Sequence, residues 1–403
     1  MRPFIPRLGL ALAALSAVAL VSGCGPSQAE LQAEATRIAA VEAAAIAARQ
    51  PPPIALNDSV AQAAAVYVAF TRDMTTIHGG FSSPQAVQDA LRRGAAYDPD
   101  QISRGIVAYA TILALQSPEF VSGVRQMGDT PEARRRIIER VVAEPAYATT
   151  LPGAQAAASL IMSVLERDLD ALARAADSVE SDAYTIQAPS DPRSAWARAP
   201  LPDREARLQT IKDISARTVR PDMGEWLQLQ AAADTGSGLG VSAGRLRNAP
   251  YPASVSNALA MAALAALGAA GDNARANTDA LQYDRASQDC LASSKLNLFQ
   301  CLAASRPSYE EVFCVGRHVM RDLATCARGA ALPARIVTVG DPSEVRAPTR
   351  SPDIDSGSLV PDTPPAPPIQ PVPLVRTPAV QPAEMTPRPD LSPTQRLNAG
   401  PNR

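Results

Sequence analysis

The chain has 403 residues and a mass of 42.2 kDa, enough to bury one sizeable core or two. A formal net charge of -2 excludes the global basic field that nucleic-acid binding needs. Aromatic residues are only 4%, alanine dominates many segments and β-branched runs are scarce, so the composition points to a mostly α protein and away from a sheet.

Arg2 and Arg7 make a positive start, and Leu8 to Val21 (LGLALAALSAVALV) is an apolar run too short for a membrane span, which takes about 20 residues. It fits the apolar core of an export signal. The run closes on Val21-Ser22-Gly23-Cys24, which resembles a bacterial lipobox, with small residues before a cysteine whose thiol takes a diacylglyceryl group. The resemblance to bacterial lipoprotein precursors covers the first 24 residues only. It implies a signal peptide over residues 1–23 and a lipid bilayer as partner through acylated Cys24, each buried methylene adding about 0.8 kcal/mol. Gly25 in place of an aspartate after the cysteine implies, by the same resemblance, an outer-membrane anchor facing the periplasm. The plainer alternative is an ordinary signal peptide with Cys24 a spare thiol.

Residues 24–55 read as a tether. Within it, 26–50 is rich in alanine and glutamate without a strong apolar stripe, a solvated helix or flexible spacer halted by Pro51-Pro52-Pro53. An α-helical region over 56–187 follows, with a first helix from about Ser59 to Ile77. Four helix starts then place a capping residue before a proline: Ser83-Pro84, Asp98-Pro99, Ser117-Pro118 and Thr130-Pro131. A longer helix after Pro152-Gly153 carries Leu160, Ile161, Val164, Leu165, Leu169 and Leu172 at helical spacing. Ser83 and Ser117 are 34 residues apart, the period of helix-pair repeats, so a short solenoid-like body stands beside a bundle of helical hairpins. Arg134-Arg135-Arg136 reads as the solvated side of a helix rather than a nucleic-acid contact.

The four prolines of 187–203 mark a long connection or domain boundary before a second α-helical region, 188–335. Helices are expected near 203–217 and at about 255–270, separated by a glycine-rich loop at 236–244. From Asp341 onward the tail holds 16 of the 37 prolines and no aromatic residue. Residues 336–403 are therefore expected to be a disordered, proline-rich extension.

Cys290, Cys301, Cys314 and Cys326 fall in two expected helices, 284–304 and 309–327. Facing positions of an antiparallel hairpin have residue numbers of constant sum, and 301 plus 314 nearly equals 290 plus 326. The pairing Cys301–Cys314 and Cys290–Cys326 follows, stapling 284–328, and an oxidising compartment favours it. One angle does not fit. At 100° per residue Cys290 and Cys301 lie about 20° apart, but Cys314 and Cys326 about 120° apart. Ser308 and Glu311 have the spacing of a capping box at the start of the second helix. His318 shares a helical face with Asp322, a hydrogen-bonded surface pair rather than a metal site, and close CxxC pairs for zinc are missing. His78, before Gly79, fits a helix C-terminus.

Two stretches look catalytic. Asp234-Thr235-Gly236-Ser237 resembles the aspartic-protease loop, and Gly240-Val241-Ser242-Ala243-Gly244 matches a nucleophile elbow. The first needs flanking strands and a second carboxylate, the second a strand before and a helix after. The expected function is a membrane-anchored, non-enzymatic lipoprotein that binds an envelope protein partner or supports envelope assembly, without nucleic acid, metal or cofactor. The alternatives are an envelope hydrolase using Ser242 or Asp234, and a helical-repeat module that binds peptides.

Overall fold

The structure is a computed structural model that describes residues 27–49 and 51–333, with backbone alone over 45–49. The signal peptide 1–23, Cys24 and the tail 336–403 lie outside the described residues.

α1 (Gln28–Arg49) is the alanine–glutamate helix, and all its described side chains are exposed. Ser27 and Glu30 form a capping box at its start: the Glu30 N–H donates to Ser27 Oγ at 3.3 Å and the Ser27 N–H donates to Glu30 Oε2 at 2.7 Å. α2 (Asp58–Thr75) is as rich in alanine, yet it also carries Val60, Val66, Tyr67, Phe70 and Met74, and these are buried. Large side chains, not alanine, decide which of the two helices joins the core.

All four cap–proline pairs start helices: α3 (Pro84–Ala95), α4 (Pro99–Leu115), α5 (Pro118–Met127) and α6 (Pro131–Ala143). Ser83, Asp98 and Thr130 each accept from the backbone N–H three residues on, at 3.2, 3.0 and 3.2 Å. Ser117 differs, its hydroxyl donating to the Glu119 carboxylate at 3.2 Å. α7 (Ala154–Thr185) spans 32 residues with the expected leucine stripe buried. There follow α8 (Ser194–Ala197), α9 (Arg204–Ser215), α10 (Met223–Thr235), α11 (Ala253–Ala266), α12 (Ala276–Asp279), α13 (Arg285–Ala304), α14 (Ser308–Cys314) and α15 (Asp322–Ala331). A π-helical segment, Val315–Arg321, joins the last two. The fold is mostly α, with no strand among the described residues, only the isolated bridges Leu56–Ala270 and Pro200–Pro307.

α4 is the centre of the molecule. Every residue from Gly105 to Leu115 is buried, against α2, α11, α7 and α13. Small residues permit this enclosure: a Cβ at Gly105 would lie 2.5 Å from Tyr67 Cβ and 2.6 Å from the Ala63 carbonyl oxygen, so α4 presses directly on the α2 backbone. On another side, every residue from Ala258 to Ala266 of α11 is buried.

This arrangement decides between bundle and solenoid. A solenoid repeat touches only its neighbours in sequence, whereas α4 is wrapped by helices from both halves of the chain and α3 lies against α9 and α14. The 34-residue spacing marks two helix starts, not stacked units. Residues 56–187 and 188–335 likewise share one hydrophobic core, so the proline-rich stretch 187–203 is a connection within it.

Candidate functional site

The stapled hairpin is the best-defined feature that the sequence singled out. Cys301 and Cys314 are bridged with Cα atoms 5.9 Å apart, and Cys290 and Cys326 with Cα atoms 5.6 Å apart. The pairing is the nested one. The π-helical segment resolves the angle that did not fit. Its wider turn takes up a surplus residue, and one residue is worth about 100° of rotation, which turns the expected 120° between Cys314 and Cys326 into about 20°. That matches Cys290 and Cys301, so both bridges close on one side of the hairpin.

Ionic clasps hold the hairpin to α7. Arg321 donates to Glu180 at 2.6 Å and also pairs with Asp177, and Arg328 pairs with Asp170. A buried lysine ties it to the body elsewhere. Lys295 of α13 donates through Nζ to the carbonyls of Ser215, at 2.8 Å, and Tyr97, with the Tyr97 ring 4.4 Å away. Burial pulls its pKa down from 10.5 to about 8, because the charged form loses hydration.

The capping box expected at Ser308 does not form. Ser308 lies inside the first turn of α14 without a side-chain cap bond, and Glu311 points into the protein. There the Glu311 carboxylate accepts from Gln88 Nε2 at 2.6 Å and pairs with Arg207. Burial pushes its pKa up and the Arg207 charge opposes that shift. The partnership across α3, α9 and α14 outcompetes a local cap. Glu310 instead accepts from the Arg306 N–H at 2.7 Å.

His318 Nδ1 and Asp322 Oδ2 are 3.1 Å apart, half-buried, with the imidazole edge-on to Phe313. Phe313 in turn meets Tyr184 of α7 at 74° and 6.2 Å between ring centres. Tyr184 is 67% exposed, so this corner presents an aromatic face beside the Cys301–Cys314 bridge. His78 is exposed in the turn after α2.

The two catalytic look-alikes have other surroundings. Asp234 and Thr235 are the last residues of α10, and Gly236 at φ 65° ends that helix. Asp234 is exposed and accepts from Gln230 Nε2 at 3.0 Å, within one helix face. DTGS is here a helix terminus. Ser242 is exposed in an irregular loop that runs from the end of α10 to the start of α11, without a strand before it or a helix directly after. That loop is fixed along α7: Gly244 and Arg247 donate their N–H groups to Ser163 Oγ and Ser159 Oγ at 3.1 and 2.9 Å. Asn248 accepts from Gln155 at 2.6 Å, and Arg247 pairs with Glu166. No hydroxyl–imidazole contact involves Ser242, and the one downstream histidine, His318, is engaged with Asp322 in the hairpin.

Arg135 and Arg136 are exposed on α6, while Arg134 donates to the Gly128 carbonyl at 3.3 Å. Among the described residues no group of three or more His, Cys, Asp or Glu side chains could hold a metal, and no helix is long and apolar enough to cross a membrane. No family model, curated protein or solved structure matches this chain.

Three glutamines were not singled out by the sequence reading: Gln62, Gln101 and Gln282 lie on one cleft although they come from different elements. No spacing rule joins residues so far apart in sequence.

Proposed function

We propose that the protein is a lipid-anchored envelope protein, held in the outer membrane by Cys24 and facing the periplasm. It acts without catalysis, binding an envelope protein partner or supporting an envelope assembly. One observation carries this reading: the other four cysteines are consumed by each other in two bridges, which leaves Cys24, at the end of a lipobox-like segment, with no disulfide partner in the chain. The bridges themselves suit an exported protein. The exposed aromatic corner at Tyr184 and Phe313 supports the partner-binding part, since aromatic side chains supply much contact area at interfaces.

Intact mass of the mature protein tests the anchor. The expected N-terminus is an acylated Cys24, and a mature chain beginning at unmodified Ser22 or Gly25 defeats that part. Complementation of a deletion strain tests the rest. Ser242→Ala and Asp234→Asn are expected to complement fully, while loss of 336–403 abolishes complementation. A fluorophosphonate probe that labels Ser242 would make the protein a hydrolase instead.

A further inference from the structure

Between α2, α4 and the turn after α12 lies an open cleft of about 550 Å3. The extended stretch 217–222, which leads into α10, runs at its side, and one contact there shows how the cleft handles a peptide backbone. Gln101 Nε2 donates to the Val219 carbonyl at 2.9 Å, and the Val219 N–H donates back to Gln101 Oε1 at 2.9 Å. The side-chain amide thus exchanges the same two hydrogen bonds that a residue of a neighbouring β-strand would.

Two more primary amides face this cleft, Gln62 from α2 and Gln282 from the turn. Gln282 is 3% exposed and Gln62 is half-buried. Among the described residues, neither side chain has a hydrogen-bond partner. Buried amides are ordinarily satisfied, so a partnerless one opening on a cleft marks a place that a ligand can fill.

The charges around the rim narrow the ligand class. Arg104 donates through Nε to Asp100 at 2.9 Å, and Arg275 pairs with Asp272 at 2.8 Å. Asp58 and Asp279 also act on Arg275. Four carboxylates against two guanidiniums give no positive field for a small anion. No aromatic side chain lines the cleft for a sugar or base to stack on. What is left is a neutral ligand that both donates and accepts, which is the chemistry of the peptide group.

We propose that this cleft binds a short extended peptide segment, read through its backbone amides by Gln62 and Gln282, beside the stretch that Gln101 already holds. This rests on the partner-binding reading and supplies the chemistry of the partner, but it does not depend on the anchor or on the tail.

The test uses the full lipidated chain in detergent and a fluorescein-labelled, N-acetylated Ala-Ser-Ala-Ser-Ala amide, followed by anisotropy up to millimolar protein. Saturable binding is expected, and Gln62→Met and Gln282→Met should each weaken it roughly five-fold, the value of one neutral hydrogen bond. An ester in place of the central amide, which removes one N–H, should weaken it similarly. Acetate and inorganic phosphate should not compete. Absence of saturable binding overturns the proposal, as does binding indifferent to Gln62→Met and to the ester, or binding displaced by phosphate. Gln62 is only half-buried, so its variant decides the matter even if Gln282→Met does not fold. Failure here with a complementing tail-dependent phenotype removes the cleft alone, whereas a Ser242-labelled hydrolase removes the partner reading itself.

Discussion

α2 and α4 meet through a backbone approach at Gly105, whereas α13 meets the helices after it through two covalent bridges. The first contact is apolar over its length, with α4 buried from Gly105 to Leu115. The second is thinly apolar: the buried positions of α13 are Ser287, Leu291, Ser294, Lys295, Leu298 and Leu302, half of them polar. A helix pair that removes little apolar surface from water gains little from the hydrophobic effect, and the disulfides supply by restricting the unfolded chain what packing does not. The core pair should ignore redox conditions, and the hairpin should not.

The largest expected effect tests that last statement. Replacing Cys290 and Cys326 by alanine opens a separation of 36 residues and should cost about 4 kcal/mol of unfolding free energy, against about 3 for Cys301 and Cys314 with 13. Denaturant midpoints for the two double variants, with and without a thiol reductant, measure both values. Equal costs, or a reversed order, would mean that native-state contacts rather than loop closure set the contribution.

Next comes the core pair. Gly105→Ala forces α4 off α2 and should cost about 3 kcal/mol by overpacking. A loss under about 1 kcal/mol, within the range of tolerated core changes, would show that the helices have room to slide and that the close approach does not hold them.

Lys295, which ties the stapled hairpin to the body, gives a smaller and pH-dependent effect. Its pKa is about 8 in the folded protein and 10.5 ordinarily, so between those values the folded state binds fewer protons than the unfolded one. Stability therefore rises with pH through this window as far as this residue is concerned, and below about pH 8 the cost of the buried charge is fully present. Lys295→Met should flatten the rise, as read from denaturant midpoints between pH 8 and 10. An unchanged slope would assign the rise to another group.

The smallest effect is at α1, which belongs to neither pair. Leu31→Ala and Ile38→Ala should each shift stability by no more than about 0.5 kcal/mol, because both side chains are exposed. A larger loss would reveal a contact for that helix.

Local chemistry was the most legible part of the sequence. The cap–proline pairs placed α3 to α6 because a capping oxygen and a fixed φ act within a few residues. The disulfide pairing was legible because an antiparallel hairpin reduces it to arithmetic on residue numbers. What depends on distant partners was not. Glu311 has the spacing of a capping box, but Gln88 and Arg207 claim it from elsewhere in the chain. The cleft of Gln62, Gln101 and Gln282 exists only once α2, α4 and the turn after α12 are assembled. Two apparent domains merged because α11 completes the enclosure of α4, which no composition shift announces.

Between Val315 and Arg321 the helix stores a surplus residue. Deleting one residue there would let the segment anneal into an uninterrupted α-helix, turning everything downstream by about 100° and drawing it back by about 1.5 Å. Cys326 would then face away from Cys290, and Arg328 would leave Asp170 on α7. A deletion of a further whole turn would restore the azimuth but shorten the helix by about 5.4 Å, past the reach of the bridge. The chain length between Cys314 and Cys326 is therefore fixed to the single residue, in a protein whose neighbouring loops have no such constraint.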